Sequence, residues 1–483
     1  MANHLEAIQI GGPVLPAKPA AVTPSKIRRR LFIDRLASRL VTLGGMVIIA
    51  SILAILLVIV AEIYPFFKKP VATPAGTVTG RFDSAPLALG LDEYRELAYL
   101  VTASGVQFIS TKDGTAVSTA PLAGLNGAAI VGTSALGRGG FAAGLSDGRV
   151  LPLEVKFAMS YLDGTRRIEP DVIMAEPIVV DPDGRPIKML AYVTAPSGPI
   201  AAAVIGPQEL MIITIKERKA LIGPSVKQEA RQRLALTLDG EITALILDGR
   251  GEDLLVGTSA GQLARIDLRD AAMPKVADTV QATGQPGIGI STVGFLIGDR
   301  TIIVGDTAGA VSSWQLLRDQ RGVFRLRKIY DFAPHTGPVS VVAPSQRDKG
   351  FITADTAGTA YVHYGTTGAT LLTVTSAGEG IRTVAFAPKA DGFSMAKTTG
   401  QVSSWTLTNP HPEITLRSLF GKIWYEGYEQ PEYVWQSTGG TDDFEAKVSL
   451  TPLIFGTLKG TFYAMLFAVP IALLSALYAS QFM

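Results

Sequence analysis

Cysteine is absent from the 483 residues. This excludes disulfides, thiolate metal sites and cysteine nucleophiles together, but it leaves the redox compartment open, because an oxidising space permits disulfides without requiring them. A dominant charge sign is missing too. The 44 basic residues face 42 acidic ones, and no basic stripe marks a nucleic-acid surface. Histidine is scarce, and His4, His335, His363 and His411 fall without ligand spacing. No Gly-x-x-x-x-Gly-Lys-Ser/Thr run occurs; Gly456-Thr457-Leu458-Lys459-Gly460-Thr461 holds the residue types at the wrong spacing, so the chain carries no P-loop. Asp181-Pro182-Asp183-Gly184 reads as a turn and Asp442-Asp443 as part of a polar linker, and neither has the rest of a calcium loop. No acid/base pair or nucleophile has a recognisable setting. The sequence therefore reads as a non-enzyme, with no catalytic, cofactor-binding or metal residue and no cofactor.

What is present are two long uncharged stretches, Val41 to Ala61 and Gly460 to Met483. At about 1.5 Å per residue the first would span about 31 Å as a helix, the thickness of a bilayer's hydrocarbon core. Lys18, Lys26, Arg28, Arg29, Arg30, Arg35 and Arg39 precede it, whereas only Lys68 and Lys69 follow closely. The positive-inside bias then places the N-terminus in the cytoplasm and the residues after Glu62 outside. The run is longer than a signal-peptide core and stands some 40 residues in, which favours an uncleaved anchor. The Lys26–Arg30 cluster serves as a topology determinant, with anionic lipid as its alternative partner. Residues 1–25 read as a disordered leader.

Between the stretches, short apolar runs alternate with Gly, Asp, Ser and Thr turns, as in an all-β domain. One frame repeats. Leu255-Val256-Gly257-Thr258-Ser259-Ala260-Gly261-Gln262-Leu263 is matched by Ile303-Val304-Gly305-Asp306-Thr307-Ala308-Gly309-Ala310-Val311, and again at Ile352 to Gly358 and Ser394 to Gly400. Val311-Ser312-Ser313-Trp314 and Val402-Ser403-Ser404-Trp405 lie two periods of about 45 residues apart. Looser copies centre on Gly105, Gly148 and the neighbourhood of Gly206. Each copy is an apolar strand, a glycine turn and a second strand, preceded by a further strand such as Ile242-Thr243-Ala244-Leu245-Ile246. One such sheet cannot bury both faces, whereas seven packed radially can, with sandwiches in tandem as the alternative arrangement. With His335-Thr336-Gly337-Pro338-Val339 and Ile381-Arg382-Thr383-Val384-Ala385-Phe386 as blade openings, the region resembles the WD-repeat type of β-propeller. It departs from that type in lacking the Trp-Asp pair: Trp314 precedes Gln315 and Trp405 precedes Thr406.

The C-terminal segment carries a second resemblance. Pro452-Leu453-Ile454-Phe455-Gly456-Thr457-Leu458 leads into Phe462-Tyr463-Ala464-Met465-Leu466-Phe467-Ala468-Val469-Pro470-Ile471-Ala472-Leu473-Leu474, after an aromatic group of Trp424, Tyr425, Tyr428, Tyr433 and Trp435. It resembles the opening of the membrane domain in the inner-membrane permease subunit of the bacterial phosphate ABC importer. The likeness covers roughly 60 residues plus the layout of the first 65. It implies a second permease subunit, a cytoplasmic ATPase dimer and an extracytoplasmic phosphate-binding protein as partners, besides membrane lipid. The family's permease core continues beyond its first helix, so the chain reads as truncated or as half of a split subunit. Pro470 would bend its helix, and Lys459 would snorkel to the headgroups.

The expected architecture is mainly β: a seven-bladed, WD-repeat-like propeller flanked by two transmembrane helices. Its parts are a basic cytoplasmic leader (1–39), a first transmembrane helix (40–64), an extracytoplasmic propeller (76–415), an aromatic-rich linker (416–448) and the start of a permease domain (449–481). The expected function is that of an incomplete permease subunit of an ATP-driven phosphate importer, multi-pass in the bacterial inner membrane. The alternative is a membrane-anchored propeller acting as a binding or scaffold protein of the cell envelope.

Overall fold

The computed structural model describes residues 24–79, 84–120, 122–137, 139–218, 226–376, 379–441 and 444–482. The chain divides into two compact units, Met1–Pro65 and Phe66–Met483. The first contains one long helix, α1 (Pro24–Ile63), whose described side chains lie almost wholly exposed along the apolar run. It starts well before residue 40. Pro24 suits a first helical turn, where its missing N–H costs nothing, and no breaker separates it from the apolar run. The basic stretch expected as leader is therefore partly helical.

The second unit is a seven-bladed β-propeller. Blade 1 comprises Ala88–Leu91, Leu97–Thr102, Gly105–Ser110 and Ala116–Ala120. Blade 2 comprises Ile130–Gly137, Gly140–Leu145 and Arg149–Leu162, the last flanked by Thr165–Met174 and Ile178–Val179. Blade 3 holds Leu190–Ala195, Gly198–Gly206, Glu209–Arg218 and Val226–Ala235; blade 4 holds Ile242–Leu247, Asp253–Thr258, Gln262–Asp267 and Lys275–Gln281. Blade 5 holds Ile290–Phe295, Thr301–Asp306, Val311–Arg318 and Phe324–Asp331, and blade 6 Val339–Pro344, Gly350–Asp355, Thr359–Tyr364 and Ala369–Thr375. Blade 7 takes Ile381–Phe386, Gly392–Lys397 and Gln401–Thr408, and its fourth strand is Val71–Thr79 from the start of the unit. In each blade the strands are lettered a to d from the axis outward.

The closing strand explains where the β region begins. Val71 pairs with Thr408 and Thr79 with Gln401, so pairing starts at Val71 rather than Gly76 and ends at Thr408 rather than 415. Pro74 sits beside a bulge on this outer edge, where a missing N–H breaks no ladder. Ring closure by one chain leaves only short outer edges.

All seven repeats read from the sequence lie at b–c turns. Gly148, Gly261, Gly309, Gly358 and Gly400 hold φ between 83° and 94°, which a side chain would strain. At Gly309 a Cβ would also lie 2.5 Å from the His335 carbonyl oxygen of the following d–a link. Blade 3 instead turns through Pro207 and Gln208, after a bulge between Val204 and Gly206.

The core is divided into seven apolar clusters, one in each wedge between neighbouring blades. Leu100, Ile130, Leu151, Leu210 and Phe393 are buried there, each worth about 1.5–3 kcal/mol of transfer free energy. A polar device supplements the wedges. The second residue of strand a is bulged in blades 4, 5 and 6, and its hydroxyl reaches the next blade: Thr243 to Ile290 O at 2.6 Å, Ser291 to Val339 O at 2.7 Å, and Ser340 to Ile381 O at 2.9 Å. Blade 7 has Arg382 at this position, which ends the series.

The propeller has two unlike faces. The b–c turns and d–a links form the upper face, and the a–b and c–d turns form the lower face. Val71, where the chain joins the ring, pairs with the c–d end of blade 7 and so lies at the lower face. The residues after Thr408 return to the same face, pass through helix α2 (Leu416–Phe420) and end in helix α3 (Thr451–Phe482).

Candidate docking surface and membrane helix

Residues 416–448 are expected as a linker, but the described residues from Thr415 to Leu450 form a packed segment on the lower face of blades 5 and 6. Thr415 caps α2 through a reciprocal box with Ser418. Ile423 and Glu432 exchange backbone hydrogen bonds at 3.2 and 3.0 Å, and the Trp424 indole donates to Tyr428 O at 2.7 Å, closing a compact loop. Trp435–Gln436 pairs with Lys447–Val448. Leu450 N donates to Leu419 O at 2.8 Å, and Ile454 N donates to Leu450 O, so α3 grows directly out of this fold.

The attachment to the blades is polar at its centre. Glu426 accepts from Thr301 Oγ1 at 2.6 Å and from Lys349 Nζ at 2.7 Å; Lys349 also donates to Ile297 O at 2.6 Å and is only 2 % exposed. Glu445 accepts from Thr366 Oγ1 at 2.5 Å and from Glu426 N at 2.8 Å. Burial pushes the Glu445 carboxyl above its ordinary range, and the Glu426 charge adds to the effect. Trp424 N donates to the Tyr330 hydroxyl at 2.9 Å, while burial raises the Tyr425 hydroxyl to about 12. Of the aromatic group, Trp424, Tyr425 and Tyr428 therefore pack into this segment and against the propeller, while Tyr433 and Trp435 stay exposed. Beside the segment, a cleft of about 1050 Å³ places Arg318, Arg321 and Arg327 opposite Glu429 and Glu432. With both charge signs on its walls, it favours neither anion nor cation.

The histidines fall apart as sites. His4, Asp442 and Asp443 lie outside the described residues. His411 packs edge-on against Phe66. His335 and His363 join a buried chain that the sequence did not reveal. His335 Nδ1 lies 3.2 Å from Asp355, His335 Nε2 and His363 Nε2 each lie 2.7 Å from Thr353 Oγ1, and His363 Nδ1 lies 3.0 Å from Thr370 Oγ1. Burial lowers His335, and it drives His363 down to about 3 with help from the nearby His335. Neutral imidazoles allow one proton order. His335 donates to Asp355, Thr353 donates to His335 and accepts from His363, and Thr370 donates to His363. The Asp-His-Thr geometry resembles a hydrolase triad, but both side chains of its Asp355–His335 pair are wholly buried, so no substrate reaches the hydroxyl. It ties the blade 5–6 link to blade 6. Asp181 is likewise a turn organiser. The Arg185 guanidinium bonds it at 2.6 and 3.1 Å and holds its carboxyl below the usual range. No group of three or more metal-ligating side chains occurs among the described residues.

Helix α3 has no buried residue and is long and apolar enough to cross a membrane, as is the helical stretch Phe32–Phe67. A row of small residues runs along α3: Gly456, Gly460, Ala464, Ala468, Ala472, Ala476 and Ser480 recur every four positions, so consecutive members adjoin while the row winds about 40° per step around the helix. Bulky Phe462, Leu466, Phe467, Ile471 and Leu474 flank this row. Pro470 lies inside the helix and frees the Leu466 carbonyl.

No family model matches the chain. A chaperone protein HtpG from Nitrobacter winogradskyi is 30 % identical over 108 residues; that match covers 21 % of this chain and 17 % of the chaperone's length. Among solved structures, the β-propeller domain of Cps50 (Swd1) from Myceliophteria thermophila aligns with 70 % of this chain and 100 % of its own, at 13 % identity and a TM-score of 0.49. Raptor from Chaetomium thermophilum aligns over 72 % of this chain and 30 % of its own, at 14 % identity and 0.48. A chain of the mitotic checkpoint complex covers 70 % of this chain and 92 % of its own, at 11 % identity and 0.46. The seven-bladed assignment rests on the strand pairing.

Proposed function

We propose that this chain is a subunit of an ATP-driven importer of phosphate in the bacterial inner membrane, supplying an anchor, an extracytoplasmic propeller and a helix of the permease assembly. The observation that carries this reading is the small-residue ridge of α3. Lipid tails are as apolar as leucine, so a helix that only anchors gains nothing from an ordered row of Gly and Ala. A helix that packs closely against other helices needs one. Phosphate as cargo is suggested by the resemblance of Pro452 to Leu474, and the partners follow from it: a second permease subunit, a cytoplasmic ATPase dimer and an extracytoplasmic phosphate-binding protein. In this reading the ATPase drives alternating access among packed helices, and α3 passes the movement to the propeller through Leu450 and the segment around Glu426. The test is affinity purification of the full chain from its native membrane, together with phosphate uptake in a deletion strain. Co-elution of an ATPase and permease, with reduced uptake, is expected. Elution alone with normal uptake contradicts the reading.

One observation favours a second reading, a membrane-tethered scaffold. The ring closes with its own strand Val71–Thr79 and needs no other chain to complete it. A scaffold would tolerate replacement of α3 by any apolar span and would keep its partner; a transport subunit would not.

A further inference from the structure

Exposed large apolar side chains are distributed unequally between the two faces. In or beside the described b–c turns and d–a links of the upper face, only Val179, 41 % exposed at the blade 2–3 link, is of this kind. The lower rim carries Met159, Tyr161 and Leu162 at blade 2, Met273 at blade 4, and Val323 and Phe324 at blade 5, all in or beside c–d turns. Turns ordinarily hold polar residues because their backbone is wet, so apolar tips repeated on three blades of one face require a cause.

Blade 2 shows the feature most fully. Its c strand, Arg149–Leu162, has 14 residues where that of blade 4 has six. At about 3.3 Å per residue the extra length carries the hairpin some 26 Å further. Its base packs Phe157 edge-on against Phe108 at 6.2 Å, and near its end Arg166, paired across the hairpin with Tyr161, bonds Glu96 and lies 3.8 Å over the Tyr94 ring. Beside this anchored arginine Tyr161 is 66 % and Leu162 61 % exposed. The hairpin is therefore held in place while its apolar end is left uncovered. At blade 5, Arg318 lies 5.0 Å over Phe324, which sets a cation beside an apolar tip.

We infer that the lower rim rests on the lipid surface, with these c–d tips in the headgroup zone of the bilayer that α3 crosses. The inference depends on α3 being a membrane span. It commits to lipid for a topological reason: the segment that launches α3 is bonded to Thr301, Lys349 and Thr366, all on this face, so the bilayer lies on this side. Aromatic and apolar tips flanked by arginine suit the boundary between headgroups and acyl chains. Three contacts around a rim, added to a span, would fix the tilt of the ring and leave the upper face toward bulk water for soluble partners.

The absence of cysteine gives a direct test. Full-length chains carrying one substitution each, Leu162→Cys, Met273→Cys or Val323→Cys, are labelled with an environment-sensitive nitrobenzoxadiazole dye and reconstituted in phosphatidylcholine–phosphatidylglycerol vesicles. Leu466→Cys reports on α3, and Ala308→Cys on the upper face. The expected result is blue-shifted emission at the rim positions, quenched by lipids spin-labelled near the headgroup, with severalfold weaker iodide quenching than at Ala308→Cys. If Leu466→Cys is quenched by lipid while the rim positions emit as in water, the rim inference is overturned and the membrane span stands. Rim positions that are dry but untouched by lipid quenchers mean protein cover and also overturn it. Failure of lipid quenching at Leu466→Cys overturns both.

Discussion

The two long apolar helices invite comparison because they satisfy the same length criterion with different sequences. The apolar run of α1 is packed with Ile, Leu and Val on every side, and Gly44, Gly45, Ala50, Ser51 and Ala54 fall without a fixed interval. Helix α3 keeps a small residue at every fourth position for six intervals and places a proline inside. Their attachments differ as well. Helix α1 belongs to its own unit and ends at Ile63, eight residues before the first strand, whereas α3 is hydrogen-bonded into a segment that is itself bonded to two blades. Under the proposed transport role, the comparison teaches that crossing a membrane and working within one impose different demands. The first needs only apolar bulk. The second needs a shaped face and a stiff connection to the domain it serves.

The largest expected effect tests the shaped face. Gly460→Leu puts a four-carbon side chain on the ridge, and co-purification with membrane partners and solute uptake should both be lost. Gly44→Leu in α1 should change neither. Equal tolerance at both sites would erase the distinction between the helices.

The next effect tests the stiff connection. Glu426→Gln leaves the Lys349 ammonium buried without its counter-charge, a defect that typically costs about 3–5 kcal/mol. Limited proteolysis should then open residues 415–450 while the blades stay protected. The double replacement Lys349→Met with Glu426→Leu should recover much of the loss, since the charge and its partner leave together.

A smaller effect depends on pH. The Glu445 carboxyl is raised in the docked state, so docking binds its proton more tightly than release does. This contribution is fully present below the ordinary carboxylate value of about 4.3 and fades as pH rises through the raised value. Protection of the segment from protease should therefore be stronger in mild acid than at pH 8, and Glu445→Gln should flatten the dependence. The smallest effect lies within the ring: Ser291→Ala removes the inter-blade bond to Val339 O and should cost about 1 kcal/mol in chemical unfolding.

The architecture was legible because the b–c turn imposes a local demand on sequence. A glycine turn between two apolar strands recurs wherever a blade recurs, and counting those turns gave seven, with a positive-φ glycine at all of them but the one in blade 3. Other features were not local. The hydroxyls of Thr243, Ser291 and Ser340 look like ordinary strand residues until the neighbouring blade supplies their acceptors. The segment around Glu426 read as a linker because Ile423, Tyr425, Lys349 and Thr366 meet only through tertiary contact, and irregular loops carry no periodicity to announce burial. Asp355, His335, Thr353 and His363 span 29 residues and three strand or link elements, so spacing alone could not join them. The four-residue ridge of α3 was present in the sequence throughout; a search for uncharged length passes over it because glycine and alanine count toward length without revealing which side they occupy.

The most direct test of the working role assigned to α3 is a cysteine scan from Phe462 to Leu474 in native membranes, each variant spin-labelled and its mobility recorded. The account predicts immobile labels at Ala464, Ala468 and Ala472, where neighbouring helices pack, and mobile, lipid-exposed labels at Phe462, Leu466 and Leu474. Uniform mobility around the helix would show α3 standing alone in lipid and would contradict it.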